Sequence, residues 1–261
     1  MAAAKIDIPA ICLLGMPVHK IRMAELLDYC EKAISGRKNL VLGMVNVAKL
    51  VNSRRDFQLY KSVADSDIIA ADGQGVVWLS RLIGCPLPER VAGIDVMYGL
   101  MERAAQNHYR IFFLGAKPEV VKTVAQKAVS LYPGLQVAGV CDGYFDLEKD
   151  GQKVAEQIRD SHADILFVAM TPPRKEIFMD RWKNVINVPV CHGVGGSFDV
   201  FAGVVKRAPL WVQKAGLEWF YRVMQEPGRM WKRYFVTNSI FLFLSVREIC
   251  RYRLGFTKSK R

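Results

Sequence analysis

The 261-residue chain has no run of roughly 20 apolar residues, so no segment reads as a helix that spans a bilayer. Its six cysteines (12, 30, 85, 141, 191 and 250) include no C-x-x-C pair, and its four histidines are dispersed. That spacing argues against a zinc site, a disulfide framework and a local Ser/His/Asp arrangement, and makes most of the cysteines small core residues. No G-x-G-x-x-G is present. The nearest approach, Gly193-Val194-Gly195-Gly196-Ser197-Phe198, puts Phe198 at the last glycine position, which weighs against a nicotinamide-dependent oxidoreductase. Residues 1–14 have no apolar core of a signal peptide, so the expectation is a cytoplasmic protein. There is no internal repeat and no Pro-, Ser- or Gln-rich linker.

Acidic residues become scarce toward the end. From Lys206 to Arg261 there are thirteen Lys/Arg and three Glu, so this stretch holds +10 of the whole-chain +12. Inside it lies a charge-free segment, Tyr234 to Val246, containing Ile240-Phe241-Leu242-Phe243-Leu244. Cations flanking a short apolar run point to a segment lying on an anionic membrane surface. Nucleic acid is the rival partner for a basic chain, but neither a recognition helix nor an aromatic sheet motif accompanies the charge.

Apolar runs alternate with amphipathic ones through the body, which predicts an α/β fold. Its mostly parallel sheet should be sandwiched by helices in Rossmann-like layers. Strands are expected at 39–45, 67–71, 110–114, 136–140, 165–170 and 188–192. Helices are expected at 23–35, with Gly36 as its cap, from Pro118 to about 131, and at 148–161 and 174–184. The pattern changes near residue 200. A body of residues 1–200 is therefore separated from a basic, helical, membrane-associating appendage at 201–261. The appendage opens with one helix over 208–225, broken at Pro227-Gly228.

Ligands of parallel sheets bind beyond the carboxyl ends of the strands. Asn46, Asp72-Gly73, Gly115, Asp142-Gly143-Tyr144, Thr171-Pro172-Pro173 and Gly193–Ser197 all fall there. Gly193, Gly195 and Gly196 suit a phosphate cradle, with Ser197 as the cap of the next helix and Asp199 just beyond. The alternative is a tight turn without a ligand. Asp72 is placed to take a proton from a substrate hydroxyl, or serves as a turn former in Asp-Gly. Asp65-Ser66-Asp67 matches a D-x-D metal motif in letters, but it precedes its strand and so reads as a helix cap or strand start. Arg222, Arg229, Lys232 and Arg233 recur at roughly helical spacing among Trp219, Phe220, Tyr221 and Trp231. They form a solvated basic face or grip a diphosphate.

Several runs together are more specific. They are Leu87-Pro88-Glu89-Arg90-Val91-Ala92-Gly93, Gly193–Asp199, Lys206-Arg207-Ala208-Pro209, Gly216-Leu217-Glu218-Trp219 and Glu226-Pro227. With Asp72-Gly73 and Gly143-Tyr144-Phe145, they resemble the WecG/TagA/CpsF glycosyltransferases (glycosyltransferase family 26) over about residues 10–235. The resemblance implies an inverting, metal-independent transferase without a cofactor. It would pass a sugar from a UDP-sugar to a polyprenyl-diphosphate-linked saccharide at the cytoplasmic face of the bacterial inner membrane, held there peripherally. It implies Asp72 as base and Arg222, Arg229 and Arg233 as diphosphate ligands, with Arg229 counted as catalytic. Asn46, Gly73, Arg90, Gly115, Lys175 and the 193–199 run are the other substrate-binding candidates.

Two positions depart from the family's N-acetylmannosamine transferases. Met44 stands in place of the Thr of Thr-x-Asn, and Lys175 in place of the Gln before Glu176. They point instead to a plain hexose, glucose first, as in GumM-type exopolysaccharide enzymes. N-acetylmannosamine or its uronic acid is the alternative sugar, and a non-catalytic, membrane-associated nucleotide-binding protein the alternative class. The exposed aromatics of the appendage leave a surface for homo-oligomers.

Overall fold

The structure, a computed structural model, describes residues 7–254, without the side chains of residues 229, 230 and 233. The chain opens with an antiparallel hairpin, β1 (Ala10–Leu13) and β2 (Met16–His19). Six parallel strands follow: β3 (Leu40–Val45), β4 (Ile68–Ala71), β5 (Arg110–Gly115), β6 (Gln136–Cys141), β7 (Ile165–Ala169) and β8 (Val190–Gly193). They lie in the order β4-β3-β8-β7-β5-β6. The chain enters at β3, leaves to the edge at β4 and crosses to β5. It runs out to the other edge at β6, then returns to fill the centre with β7 and β8.

All six strands occur where the apolar runs placed them. Strands covered on both faces read as continuous apolar runs, and β3, β4, β7 and β8 are buried along their whole length. Side-chain alternation sorts them into two layers. Ile111 and Phe113 join one core with α1 (Met23–Ser35), α5 (Gly93–Asn107), α6 (Pro118–Leu131) and α9 (Ser197–Ala202). Phe112 and Leu114 face the other way, toward α7 (Gly151–Asp160) and α8 (Arg174–Ile186). On that second face the hairpin packs with α2 (Val47–Asn52), α3 (Phe57–Ala64) and α4 (Gln74–Leu82).

The hairpin has no sequence signal of the usual kind. Its two turn residues, Leu14 and Gly15, both have positive φ (51° and 91°), a geometry that normally selects Asn-Gly. Leu14 tolerates it because its side chain is buried and its carbonyl accepts from Arg54 Nη1 at 2.9 Å. The hairpin in turn protects an edge strand: His19 Nδ1 accepts the Ile69 N–H of β4 at 2.8 Å. Asp65 ends α3, and Asp67 Oδ2 accepts the Val41 N–H at 2.7 Å, so the D-x-D segment caps and starts elements at the edge opposite the cleft.

The C-terminal region is helical but divided differently from the sequence expectation. The helix anticipated over 208–225 is two, α10 (Leu210–Lys214) and α11 (Glu218–Gln225), separated at Gly216. Gly216 has φ +70°, and a Cβ there would lie 2.8 Å from Gln74 Cγ. Pro227 opens α12 (Pro227–Arg253) rather than standing between helices, as suits a proline at a first helical position. α12 lies along α2 and turns Thr237, Phe241, Leu244, Ser245, Glu248, Ile249 and Tyr252 toward the body. Tyr252 Oη donates to the Cys12 carbonyl at 3.3 Å. The apolar run is thereby split: Phe241 and Leu244 pack inward, while Phe235, Leu242, Phe243 and Val246 are exposed. Residues 255–261, with the last three tail cations, lie outside the described residues.

Gly115 shows how tightly the sheet's carboxyl edge is built. It has φ +114°, and a Cβ would sit 2.4 Å from the Ala169 carbonyl oxygen of β7. Gly115→Ala should cost about 2–4 kcal/mol in urea unfolding, from strain and backbone displacement together. A loss below about 0.5 kcal/mol would show that this turn relaxes freely.

Candidate active site

The carboxyl edge of the sheet gathers the sequence candidates. Asp72 follows β4 directly, with its N–H bonded to the Val45 carbonyl of β3 at 2.8 Å. Its Oδ1 accepts the Gly93 N–H at 2.8 Å. Gly93 is the first residue of α5, whose N-cap Ala92 has no side chain to offer, so Asp72 caps this 15-residue helix from another element. The positive end of α5 thus bears on the carboxylate.

The run 87–93 accomplishes this by crossing the edge as a brace. Glu89 Oε1 accepts the Met23 N–H that opens α1 (2.6 Å), and the Val91 N–H bonds to the Ala71 carbonyl (2.8 Å). Arg90 is ion-paired with Glu218 of α11, so its guanidinium ties the C-terminal region to the body. Arg207 adds a second tie to Asp95 at 2.7 Å and lies over the Tyr98 ring.

Opposite Asp72 lies the glycine turn after β8. Gly195 is left-handed at φ +55°. The Val194 and Gly195 amides bond to the Val168 carbonyl at 2.9 and 3.3 Å, and the Ser197 amide and hydroxyl to the Val194 carbonyl at 3.2 and 2.8 Å. Ser197 is therefore not the expected cap. Gly196 holds that position, and the buried Ser197 hydroxyl locks the turn from behind. Fewer amides face outward than the glycine content suggests. Arg222 Nη2 and Asp199 Oδ2 approach Gly196 from outside, 3.8 and 3.9 Å from where a Cβ would stand.

Between Asp72 and this turn lies a buried charge cluster that the sequence reading did not isolate. Glu176 Oε1 is 2.9 Å from Lys49 Nζ and 3.4 Å from Lys175 Nζ. Lys49 also donates to the Met44 carbonyl at 2.6 Å, and Lys175 to the Gly193 carbonyl at 3.4 Å. Burial alone would raise the Glu176 carboxyl, but Lys49 and Lys175 override it and hold it down at about 2. Burial, reinforced by Lys49, lowers the Lys175 ammonium to about 8 against the opposing pull of Glu176 and Asp72.

His192 completes the cluster. Its Nε2 lies 2.8 Å from the Gly93 carbonyl, and burial is the main cause that lowers the imidazole to about 4. It is neutral at working pH, so Nε2 carries the proton and donates. Asp72 is close enough to influence both Lys175 and His192 electrostatically, which puts the carboxylate and the glycine turn in one site.

The remaining candidates fall around this centre. Asn46 caps α2 through Oδ1 (3.0 Å to the Lys49 N–H), and Gly73 packs on it so closely that a Cβ would lie 3.3 Å from Asn46 Cβ. Gly115 belongs to the β5 side, two strands from β8, where its requirement for glycine is steric. Arg229 and Arg233 lie on the backbone of α12, and their side chains are outside the described residues. The turn at Gly216 rests on Gln74, and Phe241 approaches Gly75, so the C-terminal helices cover the start of α4 next to Asp72. A lysine inside the otherwise apolar Val47-Ala48-Lys49-Leu50-Val51, just after a strand, was the available signal for the missed cluster.

Arg90→Ala should loosen the cover while leaving the sheet intact. Hydrogen exchange is expected to quicken in α11 by about fivefold, equivalent to about 1 kcal/mol, with β7 and β8 unchanged. Equal protection in α11 would show that the Arg90–Glu218 pair contributes nothing to closure.

Comparison with known proteins agrees with this geometry. The Glycosyl transferase WecG/TagA/CpsF family matches residues 11–255. An N-acetylglucosaminyldiphosphoundecaprenol N-acetyl-beta-D-mannosaminyltransferase of Bacillus subtilis (strain 168) is 39% identical over 220 residues, covering 84% of each chain. The protein of the same name from Staphylococcus aureus (strain MW2) is 33% identical over 244 residues, covering 92% of this chain and 91% of that one. With the match spanning sheet, brace, glycine turn and all of α12, the chain belongs to the WecG/TagA/CpsF glycosyltransferase family.

Proposed function

We propose that this transferase moves an N-acetylmannosaminyl group from its UDP-sugar to N-acetylglucosamine linked through diphosphate to a polyprenol. The relatives' names support the sugar and the acceptor, and they favour it over the plain hexose anticipated from Met44 and Lys175. The Met44 side chain is buried beside Gly93 and His192, at the edge of the site.

The observation that carries the reading is the placement of Asp72. One carboxylate oxygen is fixed by Gly93, in a site whose other wall is the glycine turn backed by Lys175 and approached by Arg222. In the proposed single displacement, Asp72 takes the proton of the acceptor hydroxyl as its oxygen bonds to the anomeric carbon. The bond to the diphosphate breaks, and its electron pair leaves with UDP. Starting from an α-linked donor, this inverts the centre and yields the β linkage in the relatives' name. Among the described residues no three His, Cys, Asp or Glu side chains converge to hold a metal ion. The proposal gives the task of offsetting the diphosphate charge to cations, Lys175 and Arg222 first, with Arg229 and Arg233 available from α12.

Because the acceptor is a lipid, the proposal includes peripheral attachment at the cytoplasmic leaflet. No helix of the described residues is long and apolar enough to cross a membrane. The outward face of α12 combines exposed Phe235, Leu242, Phe243 and Val246 with Arg247 and Arg251. Each such cation contributes about 1 kcal/mol near an anionic surface.

With N-acetylglucosaminyl-diphospho-polyprenol as acceptor, UDP should be released from UDP-N-acetylmannosamine and not from UDP-glucose. The reverse preference would restore the hexose reading. Asp72→Asn should lower kcat by about 10²–10⁴ while UDP still binds. Undiminished turnover in that variant would remove Asp72 from the role of base.

A further inference from the structure

Burying one ion pair beneath a site is common, but three ions of which two are cations leave a charge without a partner. Lys49 is held by Glu176 Oε1 at 2.9 Å and the Met44 carbonyl at 2.6 Å. Lys175 shares the same carboxylate oxygen at the longer 3.4 Å and touches the Gly193 carbonyl at 3.4 Å. Its Nζ stands 3.5 Å from where a Cβ of Gly195 would be, directly behind the turn. All three side chains are more than nine-tenths buried. A buried ammonium that must share its counter-ion is expensive, and apolar side chains of similar size often fill such a space at no loss of stability. His192 is neutral and offers no counter-charge. Among the groups acting on Lys175, Asp72 is the remaining anion.

We propose that Lys49, Glu176 and Lys175 form a buried triad that presents one net positive charge through the glycine turn, balanced by Asp72 before transfer and by the departing diphosphate after it. Lys49 cancels Glu176 and anchors it, which makes both positioning residues, and Lys175 supplies the surplus charge. The inference rests on the transferase reading above and deepens it. In the displacement, the proton that reaches Asp72 cancels its charge in the same event that gives UDP one more negative charge. The field of Lys175, lodged in a dry interior, then bears on the leaving group without any atom of the triad moving. Glycine at 193, 195 and 196 lets the diphosphate come close to that charge: a Cβ at 193 would press on the Lys175 side chain at 3.3 Å, and one at 195 would stand between the turn surface and its ammonium, 3.5 Å from Nζ.

UDP, the leaving group itself, is the probe. Its terminal phosphate ionises near pH 6, and its uracil N3–H only at about pH 9.5, so its own charge is constant from about pH 7 to 8.5, and the ionisation of uridine alone sets the correction above that. The groups facing Lys175 are Lys49 from α2, Asp72 after β4, His192 from β8 and Glu176 on its own helix, and His192 is already neutral across this range. UDP affinity of the full chain, followed by calorimetry from pH 7 to 9.5, should fall about tenfold as Lys175 loses its proton. The midpoint is expected at about 8.

Glu176→Gln removes an anion and should move that midpoint to lower pH. Lys49→Met removes a cation and should move it to higher pH. Lys175→Met should bind weakly and without the transition. Shifts of opposite sign from two partners of one lysine are not the mark of a merely structural role, which would weaken binding at every pH with the midpoint fixed. The wild-type profile needs no variant to fold: if UDP binds with constant affinity from pH 7 to 9.5, the triad proposal is overturned and the transferase reading stands. If UDP binds at no pH, the donor reading falls and this inference falls with it.

Discussion

The peptide units around Gly93 join three parts of the fold that the sequence keeps apart. The Gly93 N–H holds Asp72 after β4, and its carbonyl receives His192 from β8. Between those two strands lies only β3, whose Met44 carbonyl anchors Lys49. Fixing one short stretch of backbone thus sets the spacing between carboxylate, imidazole and buried lysines across three adjacent strand ends. The brace 87–93 exists to hold that stretch: Leu87 is in the core, Glu89 caps α1 and Val91 is bonded to β4. A one-residue slip there would withdraw the N–H from Asp72 and unbalance a site in which every charge is counted against another.

How much of this was legible follows from what each signal depends on. The six strands were readable because burial on both faces demands apolar side chains without interruption, a property of the local sequence alone. The β1–β2 hairpin was not, because Leu14 adopts its turn conformation under tertiary restraint from Arg54 rather than by its own preference. Gly216 divides α10 from α11 because Gln74, far away in sequence, leaves room for nothing larger. Asp72, Gly73, Asn46 and the glycine turn were found by a general rule about strand ends, and the structure brings them together. Ser197 was assigned the wrong local partner, since a hydroxyl at the first helical position can turn back to Val194 as readily as it can cap. Lys49 and Glu176 lie in different elements, and opposite charges so far apart show no pattern until the sheet closes.

The C-terminal helix is apolar on two sides. α12 must leave Phe241, Leu244 and Tyr252 toward the body to cover α2 and the start of α4. It must also leave Phe235, Leu242 and Phe243 uncovered, at a density of exposed aromatics unusual for a surface that meets only water. A helix apolar on two sides cannot be read by a single moment, which is why the charge-free run looked like one membrane-facing patch. The division is also the reason closure and lipid contact need not compete. The face that packs on the body and the face left exposed are different, so under the proposed function the helix meets a lipid-linked acceptor without undocking.

The electrostatic arrangement sets a limit on what the site can tolerate. In a water-excluded cleft, each unit of charge is felt more strongly than at the surface, so on the proposed reading departing UDP is stabilised only if its counter-charges are in place beforehand. Arg222 of α11 approaches from outside as part of the C-terminal cover. Lys175 is different, because it is fixed from below by Glu176 and Gly193 whether or not the cover is shut. The fold therefore supplies its positive charge in two instalments. One is built into the floor of the sheet, while the other is carried by the docked C-terminal helices. On the proposed mechanism such a division would limit hydrolysis of the donor, since the floor charge balances Asp72 and has none to spare for a leaving group until the base has taken a proton from an acceptor.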